Sequence, residues 1–80
     1  MAEDSKLAEN KLVILYLLDK MDVALSNNDI SQFAMERSIM DYINVQQALS
    51  QLTDSGYIEA FTENTTTRYT ITHDGSNVLA

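Results

Sequence analysis

The sequence contains no cysteine, no proline, no tryptophan and only two glycines among its 80 residues. The absence of cysteine excludes a disulfide scaffold, a thiolate metal site and a cysteine nucleophile. With two glycines there is no glycine-rich loop of the kind that cradles phosphate groups. Because residues that stop helices and strands are so scarce, the positions of Gly56 and Gly75 are informative about the fold.

Basic residues are also scarce. Five Lys and Arg stand against twelve Asp and Glu, which gives a formal net charge of -7. Proteins that bind nucleic acid mainly through electrostatic attraction have a basic surface, so this balance argues against such a binder. The length corresponds to one small domain, and a hydrophobic content of 45% is typical of a folded one.

Long hydrophobic runs are missing as well. The longest, residues 12–18, is far shorter than the roughly 20 residues of a membrane-spanning helix. The first eleven residues are polar and mixed in charge, unlike the start of a signal peptide. We therefore expect a cytoplasmic protein without a membrane segment.

Two helices are predicted in the first half of the chain. The first covers residues 5–21, with Ser5 as its N-terminal cap. A brief strand at residues 22–25 separates it from the second helix, which Ser26 caps and which ends near residue 37 or 38.

A third helix and a hairpin are predicted next. Asn44 caps this helix, and Gly56 is placed as its left-handed stop. Two strands follow at residues 57–61 and 68–72, and both are rich in β-branched and aromatic residues. The polar loop at residues 62–67 joins them, so we expect a hairpin with a long tip.

Thr72 caps a short final helix, with Gly75 in its first turn. The order helix, strand, helix, helix, strand, strand, helix predicts an α+β fold, the winged helix-turn-helix, with a small three-helix core and a β-hairpin wing. Since the sequence stops on apolar residues of this helix, we expect residues 1–80 to be a single winged-helix domain in the N-terminal part of a longer protein.

Several segments resemble known regulators. LTDSGYI and RYTITHDG are similar to the signature of PadR-like and MarR-like winged-helix proteins. Residues 9–37 and 61–75 resemble, more closely, an uncharacterised bacterial family of predicted winged-helix transcriptional regulators whose members are about twice this length. The resemblance covers roughly residues 6–79; it implies the winged-helix fold and, by analogy, DNA binding.

The outer face of the third helix is the first candidate for DNA contact. In helix-turn-helix proteins this face enters the major groove, where Asn and Gln bond adenine and Ser bonds several base edges. The candidate residues are Asn44, Gln46, Gln47, Ser50 and Gln51. An ordinary solvated helix face has the same composition, and composition alone does not separate the two interpretations.

The wing is the second candidate for DNA contact. Its candidate residues are Asn64, Thr65, Thr66, Thr67 and Arg68. The polar side chains can donate hydrogen bonds to phosphates and Arg68 adds one positive charge, although Glu63 opposes it. The alternative interpretation is a flexible polar loop tip without a partner.

The first helix is apolar nearly all the way round, and one small domain cannot cover all of its faces. We therefore expect a homodimer interface on the first and last helices. The candidate residues are Leu12, Val13, Tyr16, Leu17, Val78 and Leu79. The alternative is a central core helix of a single domain.

No catalytic, metal or cofactor site is predicted, and we expect a protein that is not an enzyme. His73, the only histidine, stands at a helix start without a second ligand or a nucleophile. The sequence favours a DNA-binding transcriptional regulator domain that acts as a homodimer, with its third helix in the major groove of duplex DNA. The alternative is a winged-helix module for protein interaction or dimerisation that does not bind DNA, and the net charge of -7 favours it.

Overall fold

In a computed structural model, residues 2–80 are described, with side chains from Lys6 onward. Helices and strands follow one another in the predicted order, and the strands form one antiparallel sheet in the order β1-β3-β2. The elements are α1 (Ala2–Met21), β1 (Leu25–Ser26), α2 (Asn27–Glu36), α3 (Tyr42–Asp54), β2 (Ile58–Glu63), β3 (Thr66–Ile71) and α4 (His73–Leu79). The predicted α+β winged-helix fold is confirmed.

The α1 helix lies at the centre of the hydrophobic core. Its Ile14, Leu15 and Leu18 are almost completely buried. They pack with apolar residues of the other elements, chiefly Ile30, Ala34, Val45, Leu49, Leu52 and Ile58. The helix begins at Ala2, so Ser5 lies inside it and the prediction that Ser5 caps it is wrong. None of the described helices is long and apolar enough to cross a membrane.

The start of α2 follows the prediction. Ser26 Oγ accepts a hydrogen bond from the Asp29 backbone N–H at 3.0 Å, and the Asp29 carboxylate accepts one from the Ser26 N–H at 3.1 Å. This reciprocal arrangement satisfies backbone donors that the first turn of a helix leaves unpaired. The helix ends at Glu36, one or two residues before the predicted end.

The start of α3 differs from the prediction. Asp41, not Asn44, is the cap, because its carboxylate accepts the Asn44 backbone N–H at 2.9 Å. A negative charge at this position also interacts favourably with the positive end of the helix dipole. The helix therefore begins at Tyr42, and Tyr42 and Ile43, which lie before the predicted cap Asn44, are its first two residues.

The loop at the tip of the wing is shorter than predicted, and the strands extend further toward it. β2 and β3 continue as far as the pair Glu63 and Thr66, so only Asn64 and Thr65 connect them. Both connecting residues have positive φ, 51° and 65°, the pattern of a type I′ turn. The prediction of a long loop at residues 62–67 is wrong, because Thr62, Thr66 and Thr67 are β-branched and extend the strands instead.

The two glycines occupy the predicted places. Gly56 follows the end of α3 with φ of 79°, a left-handed conformation that glycine adopts without strain. At α4, Thr72 Oγ1 accepts the Gly75 N–H at 3.1 Å, which confirms Thr72 as the cap. A Cβ atom on Gly75 would overlap the Tyr57 carbonyl oxygen, so close packing of α4 on the start of the hairpin requires glycine there.

Candidate nucleic-acid interface

One face of α3 points into solvent along its whole length. Ile43, Gln47, Ser50 and Asp54 recur at helical spacing, and all four are exposed. The opposite face fills the core with Val45, Ala48, Leu49 and Leu52. We call the four exposed residues the outer stripe of α3. Its chemistry is one branched aliphatic group, one amide, one hydroxyl and one carboxylate.

The Gln46 side chain lies at the edge of the outer stripe and is bound to α2. Asn27 Nδ2 donates to Gln46 Oε1 at 2.7 Å, and Gln46 Nε2 donates to Asn27 Oδ1 at 2.8 Å. The buried Ser31 donates to the same Asn27 oxygen at 3.1 Å. This network links α2 to α3 and fixes how the two helices cross, so Gln46 acts inside the domain.

Gln51 lies at the other edge of the stripe and contacts α1. Lys11 Nζ donates a hydrogen bond to Gln51 Oε1 at 3.2 Å. Asn44, in the first turn of α3, is half-buried. Of the five residues predicted for DNA contact on α3, the structure therefore leaves Gln47 and Ser50 exposed.

The wing places one basic residue close to an acidic one. Thr66, Thr67 and Arg68 are the first residues of β3, directly behind the turn. Arg68 Nε lies 3.3 Å from Glu63 Oε1, and the pair is partly exposed. The carboxylate reduces the positive potential that Arg68 adds to the wing, and solvent screens what remains.

The α3 helix is neutral along its length apart from its last residue, and an acidic residue also stands just before it. Asp41 stands just before α3 and Asp54 is its last residue, while no Lys or Arg lies on this helix. Arg37, just after α2, is stacked over the Phe33 ring with its guanidinium carbon 4.2 Å from the ring centroid. This cation–π contact leaves the charge in place and holds it against the protein surface.

The residues predicted for a dimer interface differ in how far they are exposed. Leu17 is 8% exposed and belongs to the core, so it offers little surface to a second chain. Val13 and Leu79 are half-buried against the core. Leu12, Tyr16 and Val78 are exposed.

Two of these exposed residues border an apolar cavity between α1 and α4. Its volume is about 250 Å³, and it is lined mainly by Leu12, Leu15, Leu52, Tyr57 and Val78. Tyr16 lies one turn further along α1, with Lys20 Nζ 5.3 Å from its ring centroid. This surface is the part of the predicted interface that is exposed to solvent.

The residue of the outer stripe that the sequence prediction missed is Ile43. Ile43 is 76% exposed, which is the highest value among the exposed large hydrophobic residues in the part of the chain that the structure describes. The signal that locates it is Asp41, a favourable capping residue three positions before Asn44. Once Asp41 is taken as the cap, the spacing places Ile43 on the same face as Gln47.

Solved structures with the same fold include two that are 22% identical to this chain. One is HOP2, from work on its DNA recognition and protein interaction domains, with a TM-score of 0.71 over 79% of this chain and 98% of that one. The other is the ferric uptake regulator of Francisella tularensis with iron, with a TM-score of 0.70 over 80% of this chain and 51% of that one. At this identity the likeness shows the winged-helix fold alone.

A third similar structure is Bacillus subtilis PadR in complex with operator DNA. It is 29% identical, with a TM-score of 0.69 over 86% of this chain and 43% of that one. The chain thus spans about half the length of the ferric uptake regulator and less than half of PadR. A comparison with curated proteins finds no match.

A family assignment comes from the sequence itself. The family described as Domain of unknown function (DUF4364) matches residues 10–80, which covers every element from the second half of α1 to α4. This description names no activity. The predicted resemblance to winged-helix regulators is therefore confirmed for the fold. The chain belongs to the DUF4364 family.

Proposed function

We propose that this chain is the DNA-binding domain of a transcriptional regulator, with α3 in the major groove of duplex DNA and the wing beside the phosphate backbone. The observation that carries the proposal is the outer stripe, where Gln47 and Ser50 are exposed on the second helix of a helix-turn-helix. The major groove of B-DNA is wide enough to admit an α-helix, and amide and hydroxyl groups bond base edges there. PadR, similar in fold and 29% identical, was solved with operator DNA.

The charge of the chain determines how strongly one copy binds. Each neutralised phosphate contributes to affinity through counterion release, and each chain has only five Lys and Arg. One domain therefore makes few phosphate contacts and binds weakly. Two domains on two half-sites double these contacts, so the proposal includes a homodimer.

A titration into random-sequence duplex DNA tests the proposal. The 80-residue chain is added to a fluorescently labelled duplex at low salt, and the binding is followed by anisotropy while the salt concentration is raised. We expect the chain to bind, and we expect the logarithm of the binding constant to fall linearly with the logarithm of the salt concentration. The slope is shallower than about -9, because a pair of chains carries ten Lys and Arg side chains and each neutralised phosphate contributes about -0.9. No binding at the lowest salt concentration contradicts the proposal.

A matched pair of variants tests the place of the wing. Glu63→Gln removes the carboxylate 3.3 Å from Arg68 Nε, so we expect tighter binding at low salt. Arg68→Gln removes the cation, so we expect weaker binding and a salt slope reduced by about one per chain. Both residues are partly exposed, and surface changes of this kind leave stability nearly unchanged. Equal affinities for both variants would place the wing away from the phosphates.

A protein-interaction module is the second candidate function. The observation that favours it is the charge on α3, which has no Lys or Arg and has Asp41 and Asp54 at its ends. Phosphates repel both carboxylates, whereas a protein surface with Lys or Arg would pair with them. Failure of the chain to bind any duplex at low salt favours this second function.

A further inference from the structure

The outer stripe of α3 differs in chemistry between its two ends. Its first half carries Ile43 and Gln47, one helical turn apart and both exposed. In helix-turn-helix proteins the N-terminal residues of the recognition helix contact the base edges. Asp54 lies at the other end, about 16 Å along the helix axis from Ile43. The side chains nearest the bases are therefore an aliphatic group and an amide.

These two groups match one kind of base pair. Gln bonds adenine N6 and N7 in a bidentate manner, and apolar side chains contact the thymine methyl group. Guanine is most often read by Arg or Lys, and α3 has neither. On the basis of the proposed function, we propose that α3 is specific for adenine–thymine base pairs, with Ile43 on a thymine methyl group and Gln47 on an adenine.

The neighbouring amides do not widen this specificity. Gln46 is hydrogen-bonded to Asn27 of α2, and Gln51 accepts a hydrogen bond from Lys11 of α1. Both lie at the edges of the outer stripe, where contacts with α2 and α1 hold them. Ser50 bonds several base edges and so adds no preference for one pair. The selectivity of α3 therefore depends on Ile43 and Gln47.

A selection experiment gives the first test. The full chain is incubated with a random duplex library at low salt, bound duplexes are recovered and amplified, and the enriched sequences are read. We expect a half-site with adjacent A·T base pairs. Enrichment of G·C pairs, or binding without any enriched sequence, overturns the inference but leaves the proposed DNA binding intact. Absence of binding overturns the proposed function itself.

Replacing thymine by deoxyuridine in the selected duplex gives the second test, because this removes only the 5-methyl group. We expect a loss of affinity of about fourfold, the factor for one buried methyl group. Ile43→Ala should bind the thymine and deoxyuridine duplexes equally, while Ile43→Val should keep part of the difference. Gln47→Ala should lose at least about fivefold of its preference for adenine.

Tyr42→Ala is the matched control, because Tyr42 is the exposed neighbour of Ile43 and lies off the outer stripe. This variant should keep the full thymine–deoxyuridine difference. If Ile43→Ala still distinguishes thymine from deoxyuridine, the proposed contact is wrong. Thermal melting of each variant shows whether it is folded, and the exposure of Ile43 and Tyr42 leads us to expect melting close to that of the parent chain.

Discussion

At the scale of single residues, the two glycines are required for different physical reasons. A Cβ on Gly75 would overlap the Tyr57 carbonyl oxygen and come within 2.9 Å of Ile71 Cγ1. The Tyr57 carbonyl is not free to move away, because it accepts the Thr72 backbone N–H at 3.1 Å. We therefore expect Gly75→Ala to lower the free energy of unfolding by about 2–3 kcal/mol, as overpacked sites do.

Gly56→Ala is the matched comparison for this prediction. Its Cβ would meet no atom within 4 Å, so the cost is limited to placing alanine at φ of 79°. That cost is about 1–2 kcal/mol. Urea denaturation of both variants, analysed as two-state transitions with equal slopes, measures the difference. If Gly75→Ala is no more destabilising than Gly56→Ala, then α4 does not pack on the hairpin as closely as described.

The reason for Gly56 was predictable from the sequence, and the reason for Gly75 was not. A glycine directly after an amphipathic helix indicates a left-handed stop, and this depends only on nearby residues. The contact at Gly75 depends on a carbonyl oxygen eighteen positions away in the sequence. No local pattern reports such a distance, since it is set by how α4 packs on the start of β2.

At the scale of elements, the tight turn of the wing is held in an unusual conformation. Thr65 is β-branched and has φ of 65°, a region that such residues rarely adopt. Thr65→Gly removes this strain, which is about 1–2 kcal/mol for an L-residue. Part of the gain is offset by the greater freedom of glycine in the unfolded chain. We expect a net increase in the free energy of unfolding of roughly 0.5–1 kcal/mol, measured by urea denaturation.

Thr67→Gly is the control for this turn. Thr67 is exposed and pairs with Thr62 within the strands, so glycine there weakens the hairpin without relieving any left-handed strain. We expect a decrease in the free energy of unfolding of about 0.5–1 kcal/mol. Stabilisation by both substitutions, or by neither, would show that the turn at Asn64 and Thr65 is not strained.

The elements also show where local patterns suffice for prediction. Ser26 and Asp29 form their reciprocal cap from residues three apart, and the prediction at α2 is confirmed. Asp41 and Asn44 are also three apart, but both are good caps, and only the folded connection after α2 decides between them. The choice matters for the candidate site, because it determines whether Ile43 lies in a loop or on α3.

At the scale of the whole molecule, the candidate site depends on how the helices are assembled. The amides of Gln46 and Gln51 fall near the outer face of α3 on a helical projection, as predicted. Their hydrogen bonds are made with Asn27 and Lys11, on α2 and α1, which lie 19 and 40 positions away in the sequence. Sequence periodicity predicts the direction of a side chain relative to its own helix but not the partner that another helix brings to it.

The apolar surface of α1 and α4 leads to the last prediction, which concerns the proposed dimer. Leu12 and Val78 are 47% and 43% exposed, and they border a cavity of about 250 Å³. Exposed apolar groups around a cavity gain free energy when a second chain covers them. We expect sedimentation equilibrium of the 80-residue chain to give a dimer, and Leu12→Glu to shift it toward the monomer without unfolding it.

Met35→Glu is the control for this prediction, because Met35 is equally exposed at 49% but lies on α2, away from this cavity. This variant should remain dimeric, and a monomeric parent chain would contradict the proposed interface.

The two variants also connect assembly to DNA binding. Since one domain makes few phosphate contacts, Leu12→Glu should bind duplex DNA more weakly and with about half the salt slope of the parent chain. Met35→Glu should keep a slope close to that of the parent, so the comparison separates loss of the dimer from the effect of one added negative charge.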